Sequence, residues 1–405
     1  MELSGHRWPG LLEMTMYATQ ADFVGGTDVL STSRVESYIR ANSFERPTLV
    51  LDTDRVADRF HALRAGLGQA AIHYAVKANP AREVIERLVG LGCHFDAASR
   101  GEIELCLGLG AAPHQISFGN TVKRVADIAF AHRAGVTLFA ADAEEELDKI
   151  AEHAPGAEVY IRVLVTASQA DWPLSRKFGC APAKVAPLMA RAVALGLRPA
   201  GLSFHVGSQT RRAEMWLPVL NEVAEIWHAA RAEGYDLDLL NIGGGFPAYY
   251  GEDVQPPALY AAEVMRLVTE RFGAVPRVMA EPGRGMVAEA GAIAAEVMLV
   301  SQKSDDDTYR WVYLDIGKFS GLAETMDEAI RYQFATDRDH EATGPCILAG
   351  PSCDSADVLY EKRPVQLPVG LRSGDKVIIR NCGAYTSSYS SVGFNGFPPL
   401  DVVVI

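Results

Sequence analysis

The sequence predicts an α/β protein in which a (β/α)8 barrel, a TIM barrel, is joined to a mostly antiparallel β domain. The chain has 405 residues, too many for one ordinary core. Between residues 47 and 284, short β-rich runs alternate with stretches whose apolar residues recur at helical spacing, an order typical of parallel sheet. After residue 284 the runs remain strand-like, but helical stretches almost disappear.

Eight strands are expected in the first part of the chain. They are IHYAVKAN (72–79), HFDAAS (94–99), QISFGN (115–120), VTLFAAD (136–142), EVYIRVLV (158–165), GLSFHVGS (201–208), LDLLNIGGGF (237–246) and RVMAEPGR (277–284). Eight is the number of strands that closes a (β/α)8 barrel. A doubly wound open sheet would give the same alternation and stays open as an alternative at this level.

The second part of the chain reads as a β domain. Its strand-like segments are EVMLVSQK, RWVYLDIGK, PCILAGPS, DKVIIRNCG and LDVVVI, and one helix-like piece covers residues 321–331. The N-terminal stretch lacks the barrel alternation. We therefore expect the barrel to cover residues 46–284, and residues 1–45 and 285–405 to form a β-sandwich-like domain.

Composition excludes several classes of function. The formal net charge of −13 argues against nucleic-acid binding, which needs a basic surface. No apolar run approaches the length of a membrane span, and the N-terminus lacks the apolar segment of a secretory signal, so we expect no membrane partner and a cytoplasmic location. Six scattered cysteines fit neither a disulfide framework nor a zinc pattern, and no metal is expected.

Polar or glycine-rich elements end nearly every expected strand, where the chemistry of a (β/α)8 barrel is placed. They are Lys77, Asp96, Asn120, Asp142, Arg162, His205, Gly243, Gly244 and Gly245, and the segment Glu281–Arg284. Lys77 lies in an otherwise apolar strand. Such a lysine can extend to the surface, or burial can disfavour its charge so that the amine condenses with a carbonyl compound.

The other strand ends suggest an anion site beside a flat ring. Three consecutive glycines after a strand can offer backbone N–H groups to a phosphate, although glycines also serve as turns. Arg284 could supply a guanidinium fork to the same phosphate, and Ser208 a hydroxyl. Glu281 could then face a protonated ring nitrogen, and His205 could stack on the ring. The alternatives are a local ion pair and a core histidine.

The second domain carries two further candidate segments, PSCDSADVL (351–359) and CGAYTSSYSSVGFNGF (382–397). The negative charge of Asp354 would raise the pKa of the neighbouring Cys353 thiol, which suits a proton donor better than a nucleophile. Tyr385 and Phe394, taken singly, are as typical of a core as of a site.

Taken together, these motifs resemble one family. YAVKANP around Lys77, FDAASRGEIEL (95–105), FHVGSQ, NIGGGFP, AEPGR, GPSCDSADVL and CGAYT with FNGF are similar, in this order, to the ornithine decarboxylases of the alanine-racemase-like pyridoxal 5′-phosphate (PLP) fold. The resemblance runs from about residue 45 to the C-terminus. It implies a PLP barrel followed by a β domain, in agreement with the pattern above.

The resemblance also implies roles for individual residues. Lys77 would bind PLP covalently, Glu281 would keep the pyridine nitrogen protonated, and His205 would stack on the ring. The phosphate would be held by Ser208, Gly243, Gly244, Gly245, Arg284 and Tyr385, and the supporting residues would be Asp96, Arg162 and Glu102. Cys353 would protonate the substrate α-carbon from the partner subunit of a homodimer. Asp327 and Asp354 would bind the distal ammonium of the substrate, and Phe394 would line its pocket.

The implied reaction is decarboxylation of L-ornithine to putrescine and CO2, a step of polyamine biosynthesis, with L-lysine as a further substrate. The segment LDIGKFSGLAETMDEAIRY is similar to the bacterial ornithine/lysine branch, except that Gln333 replaces the usual proline after RY. One methylene separates the two substrates and is worth only about 1–3 kcal/mol of discrimination. The sequence alone therefore does not decide whether ornithine or lysine is the preferred substrate.

Three other functions remain open from sequence. One is a different PLP reaction on the same fold, either diaminopimelate decarboxylation or racemisation; a racemase would need a second acid or base in place of Cys353. Another is a catalytically inactive regulator, although the chain keeps all the residues expected to hold PLP. The third is a phosphate-binding barrel without PLP.

Overall fold

The chain begins in the second domain before it enters the barrel. The computed structural model describes residues 33–166 and 177–405. Helix α1 (Arg34–Ala41) is capped by Ser33 and precedes the buried strand β1 (Thr48–Leu51). β1 lies within the segment 46–284 expected to form the barrel, yet it pairs with two strands of the second domain. Most of the stretch 1–45 falls outside the described residues.

The expected barrel is confirmed, with eight parallel strands that each pair with the next and a last strand that pairs with the first. The strands are β2 (Ala71–Ala75), β3 (His94–Ala97), β4 (Ile116–Phe118), β5 (Leu138–Ala141), β6 (Glu158–Arg162), β7 (Arg198–Ser203), β8 (Leu239–Asn241) and β9 (Arg277–Ala280). All eight fall in or overlap the expected runs. They are shorter, because each run also contains the loop that follows its strand.

The barrel strands are interleaved with helices. These are α2 (Thr53–Leu67), α3 (Arg82–Gly90), α4 (Arg100–Gly108), α5 (Val125–Arg133), α6 (Glu144–His153), α7 (Val185–Ala194), α8 (Leu217–Ala232), α9 (Pro257–Phe272) and the short α10 (Arg284–Val287). α2 precedes the barrel and packs against α9. Apolar side chains such as Phe139 and Trp227 are fully buried in the core. A smaller cluster from alternating strand positions includes Tyr160, Leu239 and Met279.

The second domain is a mixed sheet in which antiparallel pairs predominate. Its further strands are β10 (Gly291–Ser301), β11 (Arg310–Leu314), β12 (Gln333–Thr336), β13 (Thr343–Ala349), β14 (Val365–Pro368), β15 (Lys376–Arg380) and β16 (Asp401–Val404). The order is β12-β15-β10-β11-β13-β14, with β1 joining β10 to β16. The pairs β1–β16 and β11–β13 are parallel. The first part of β10 pairs with β1 and β15, and its second part pairs with β11, so this long strand links the two groups of strands. The sandwich-like arrangement expected from sequence stays a prediction.

The expected helix-like piece over residues 321–331 is not an α-helix. The structure has a 3-10 helix over Ala323–Glu328, which is interrupted at Met326 and at Asp327, whose φ is 53°. Side chains at its two ends are drawn to different partners: Glu324 bonds to Arg284, and Glu328 accepts from the backbone of Lys362. These tertiary contacts override the apolar spacing that suggested a regular helix.

Neither membrane nor metal features appear among the described residues. No helix in residues 33–166 or 177–405 has the length and apolar character needed to cross a bilayer. The same residues contain no cluster of three or more histidine, cysteine, aspartate or glutamate side chains suited to a metal ion. All six cysteines are free thiols.

We predict that Gly201→Ala destabilises the barrel by about 1–3 kcal/mol, because overpacking against a fixed backbone forces strands apart. A Cβ at this position of β7 would lie 1.6 Å from the carbonyl oxygen of Leu239 on β8. Gly90→Ala is the matched control, since a Cβ at the end of α3 would meet nothing within 4 Å. Urea unfolding followed by circular dichroism measures both variants. Equal stabilities would show that the β7–β8 spacing can relax.

Candidate active site

A small pocket of about 60 Å³ opens where the barrel strands end and the second domain meets them. It is lined by Ala75, Lys77, His205, Ser208, Gly244, Gly245, Phe246, Glu281, Gly283, Arg284 and Tyr385. Ten of these eleven residues follow or end barrel strands, and Tyr385 comes from the second domain. The predicted convergence of strand ends therefore brings most of the expected cofactor-binding residues to one place.

Lys77 lies in a 3-10 turn, Val76–Ala78, directly after β2. Its side chain is exposed to the pocket. Burial opposes its positive charge, but the neighbouring groups Tyr385, Asp96 and Glu281 together outweigh that effect and raise the pKa of the amine. Burial thus disfavours the charge of Lys77, as the sequence argument expected, but the surrounding groups, which that argument omitted, reverse the net effect.

Asp96 is the penultimate residue of β3 and lies beside this amine. Its side chain is buried, and no described residue forms a hydrogen bond with its Oδ1 atom. Burial raises the pKa of the carboxyl, while Lys77 and Arg162 act in the opposite direction. A Cβ on Gly119 would lie 1.8 Å from Asp96 Oδ1, so this glycine provides the space for the carboxylate. A buried oxygen without a partner indicates that the site is built for another polar group.

Glu281 is the second carboxyl group at the pocket. Asn241, the last residue of β8, donates from Nδ2 to Glu281 Oε1 at 2.5 Å. Its other side-chain atom, Oδ1, accepts from the N–H of Gly243 at 2.9 Å. Burial, and then the charge of Asp96, raise the pKa of Glu281 to about 7 despite the Asn241 hydrogen bond. Asn241 thus couples the carboxyl to the glycine turn.

His205 follows β7 and presents a neutral ring to the pocket. Its Nδ1 atom accepts a hydrogen bond from the N–H of Gly207 at 2.9 Å, which places the ring proton on Nε2. Burial, followed by the charges of Arg162 and Lys77, lowers the pKa of the imidazole to about 3. Arg162 itself ends β6, with its guanidinium 5.1 Å from the centre of the Phe178 ring.

The glycine turn follows β8 and forms one wall of the pocket. Gly243 and Gly245 have φ angles of 69° and 99°, which other residues rarely adopt. A Cβ on Gly244 would lie 2.7 Å from the carbonyl oxygen of Glu281. The three glycines therefore let the backbone lie close to the neighbouring strand end. Backbone approach of this kind is what an anion-binding turn requires.

Arg284 is buried and lines the same pocket. Its guanidinium N–H groups are already bonded to other side chains of the protein. Its Nη1 and Nη2 atoms bond to Glu324 at 2.7 and 2.6 Å. Nε and Nη2 also donate to Ser208 Oγ at 3.3 and 3.1 Å. The guanidinium carbon lies 5.0 Å from the centre of the Tyr385 ring, which is held by a backbone bond to Ala78.

Among the predicted cofactor-binding residues, Asp96, Arg162 and Gly243 are not part of the pocket lining. Four predicted site residues of the second domain also do not reach this pocket within one chain. Cys353 and Asp354 are exposed, and the Cys353 N–H donates to Asn395 Oδ1 at 3.1 Å. Phe394 is partly exposed beside Phe319, with ring centres 4.8 Å apart. Asp327 is also exposed; it lines a separate cavity of about 570 Å³ and lies 3.6 Å from the Lys362 amine.

Glu102 also lies outside the pocket lining, although it stands behind Asp96. Its Oε2 accepts from the N–H of Ala98 at 2.6 Å. Burial raises the pKa of this carboxyl. Its position at the start of α4 fits a support for the β3 strand end rather than a contact with a bound molecule.

Sequence reasoning missed three residues that shape the pocket. Asn241 could have been found, since it is the polar residue that ends β8 before the glycines. Glu324 and Tyr250 gave no local signal: both reach Arg284 from distant segments, Tyr250 through its hydroxyl at 3.2 Å. Gln333, the departure from the bacterial branch, donates to the backbone oxygen of Tyr250 at 3.2 Å and so supports this wall.

Comparison with known proteins agrees with the geometry. Residues 53–288 match the family model for the pyridoxal-binding domain of pyridoxal-dependent decarboxylases. A lysine/ornithine decarboxylase of Selenomonas ruminantium is 33% identical over 365 residues, which are 90% of this chain and 91% of that protein.

Two solved structures are similar over nearly the whole described fold. SrLDC in complex with PLP and cadaverine has a TM-score of 0.82 and 31% identity, over 92% of this chain and 94% of that chain. The lysine/ornithine decarboxylase of Vibrio vulnificus complexed with putrescine has a TM-score of 0.81 and 32% identity, over 92% and 99%. A barrel whose strand ends gather Lys77, Asp96 and Glu281 around a glycine turn, together with these matches, shows that the chain belongs to the pyridoxal-dependent decarboxylases, in the group of ornithine and lysine/ornithine decarboxylases.

Proposed function

We propose that this chain is a PLP-dependent decarboxylase that converts L-ornithine to putrescine and CO2, and that it also accepts L-lysine. The observation that carries the proposal is the accessible Lys77 amine, which lines one pocket with the Glu281 carboxyl and the glycine turn and has the buried carboxyl of Asp96 beside it. Relatives named lysine/ornithine decarboxylase, and related structures that hold cadaverine or putrescine, support the substrate class. A role in polyamine biosynthesis in the cytoplasm follows from the same proposal.

The residues present fit PLP. The Lys77 amine can bind an aldehyde covalently, and the carboxyl of Glu281 can hold a proton at a ring nitrogen. Asp96, with its unpartnered oxygen, lies beside the amine. Ser208, the glycine turn, Arg284 and Tyr385 would hold the phosphate group. When bound, PLP supplies an electron sink for the bond to the departing carboxylate.

The protein's own residues prepare this chemistry by controlling protons and charge. Glu281 has a pKa of about 7, so its carboxyl can keep or share a proton where a ring nitrogen needs one. The imidazole of His205 stays neutral, so it can stack on a ring face without adding a competing charge. Arg162 and Glu102 would support Asp96 from behind. The site thus favours a protonated ring nitrogen near neutral pH.

We propose that the active enzyme is a homodimer whose subunits share their sites. Cys353, Asp354 and Phe394 are exposed and do not line the Lys77 pocket of their own chain. Their exposure leaves them available to complete the pocket of a second copy, where Cys353 would protonate the substrate α-carbon. Asp327 and Asp354, both exposed carboxylates, would bind the distal ammonium. A neutral side chain in that place would leave the carboxylates without a partner.

Substrate choice is tested by CO2 release from the purified protein with PLP. We expect L-ornithine and L-lysine to react, with kcat/KM values about 10–200-fold apart, the range that one methylene provides. L-Arginine and meso-diaminopimelate should react far more slowly, since the one is longer and the other carries a distal carboxylate. Preference for meso-diaminopimelate, or recovery of racemised substrate without CO2, would contradict the proposal.

Lys77→Ala should abolish the visible absorbance of bound PLP, because the covalent attachment needs this amine. Lys149→Ala is the matched control, since this lysine of α6 pairs with Glu146 and does not line the pocket. Spectra of both purified proteins after incubation with PLP and gel filtration provide the measurement. An unchanged spectrum in the Lys77 variant would remove the residue from its role.

Cys353→Ala should retain PLP but slow amine formation or divert it to an aldehyde by-product, because the α-carbon lacks its proton donor. Product analysis by chromatography distinguishes the two outcomes. Shared sites are tested by mixing equal amounts of Lys77→Ala and Cys353→Ala subunits. Random exchange should restore about one quarter of the wild-type activity, since about half of the dimers are mixed and one of the two sites in each mixed dimer carries neither change. No recovery despite subunit exchange would place both residues in one subunit's site.

A further inference from the structure

Arg284 and Glu324 form a two-point ion pair at the side of the pocket assigned to phosphate. The distances are 2.7 Å from Nη1 to Oε2 and 2.6 Å from Nη2 to Oε1. Both side chains are almost fully buried, with 4% and 6% exposed. Glu324 belongs to the 3-10 helix of the second domain, whereas Arg284 follows the last barrel strand. The contact therefore spans the two domains.

The remaining N–H groups of Arg284 also have acceptors. Nη1 donates to the Tyr250 hydroxyl at 3.2 Å, while Nη2 and Nε donate to Ser208 Oγ at 3.1 and 3.3 Å. A guanidinium has five N–H donors. The contacts with Glu324, Tyr250 and Ser208 involve all three of its nitrogen atoms. A phosphate oxygen that binds Arg284 must therefore replace Ser208, Tyr250 or Glu324 as the acceptor.

We propose that Glu324 competes with the cofactor's phosphate group for Arg284 and so sets the affinity of the pocket for that group. The inference rests on the proposed function, in which this pocket holds PLP. Two effects act in the same direction. The carboxylate takes the strongest donor pair of the arginine, and its negative charge repels a phosphate dianion in a buried site where screening is weak. Ser208 and the glycine N–H groups become the main phosphate donors.

The ion pair with Arg284 also gives Glu324 a stabilising role, which accounts for a carboxylate at a place where it weakens phosphate binding. The guanidinium carbon of Arg284 lies 5.8 Å from the centre of the Tyr250 ring and 5.0 Å from the centre of the Tyr385 ring. A buried guanidinium without a counter-ion destabilises a fold strongly. Glu324 thus stabilises the joint between the domains at the cost of phosphate affinity, and its removal should change the two properties in opposite directions.

The test is the rate of PLP loss from the holoenzyme, followed by visible absorbance in the presence of an aldehyde trap. Glu324→Gln should lower the melting temperature yet slow PLP loss by about tenfold or more, because the arginine donors and charge become available to phosphate. Glu36→Gln is the matched control: Glu36 forms a similar two-point pair with the half-buried Arg380, at 2.8 and 3.1 Å, but does not line the pocket. It should lower stability without slowing PLP loss.

A purely structural or positioning role predicts the opposite result. Faster or unchanged PLP loss in folded Glu324→Gln protein would overturn the proposal, since loosening the pair would then harm the phosphate site or leave it untouched. Glu324→Asp keeps the charge but is too short to reach both Nη atoms, so its rate should fall between those of wild type and Gln. If the Gln variant does not fold, the Glu324→Asp variant still tests the proposal, because a faster loss of PLP than in wild type would overturn it.

A second measurement separates this inference from the proposed function. Inorganic phosphate should protect Glu324→Gln against heating at about tenfold lower concentration than it protects wild type. If wild type binds no PLP at all, the proposed function fails, while the phosphate measurement still supports or overturns the competition between Glu324 and phosphate. Equal or weaker protection of the variant would overturn it.

Discussion

The site depends on one electrostatic constraint, the gathering of one amine and two carboxyl groups at the ends of the barrel strands. Each group alters the others: Asp96 and Glu281 raise the pKa of Lys77, and the charge of Asp96 raises that of Glu281. The closed ring of strands makes this possible, because parallel strands in a barrel all end on one face. Neighbouring residues such as Gly119 and Asn241 position these three groups.

Much of this arrangement could be predicted from sequence because its signals are local. A polar residue or glycine directly after a β-rich run is visible without knowing the fold, and Lys77, Asp96, His205 and Glu281 were found in this way. The strands β12 and β14 were missed, since each has four residues without a clear run of branched apolar side chains. Their pairing depends on neighbours distant in the chain.

The contacts of Glu324 and its segment with the barrel could not be predicted from the sequence. Glu324 meets Arg284 forty positions earlier in the chain, and the spacing of LAETMDEAIRY suggested a helix instead. The left-handed conformation of Asp327 directs the end of that segment towards a second cavity. Cys353, Asp354 and Phe394 were found through resemblance, and a single chain leaves them apart from Lys77. Their proposed place in the site depends on assembly with a second subunit, which local patterns do not encode.

The early strand β1 has a further consequence for the architecture. Because Thr48–Leu51 pairs with β10 and β16, the barrel is an insertion within the β domain rather than a module attached to its end. The chain crosses between the two parts at adjacent points, where Leu51 lies opposite Gly291 and the N–H of Asp52 donates to Ala290 O at 2.8 Å. Such a double tether resists swivelling more than a single linker would. It keeps Tyr385 and Glu324 in fixed register with the barrel rim, and it means that neither part can be excised by one cut of the polypeptide.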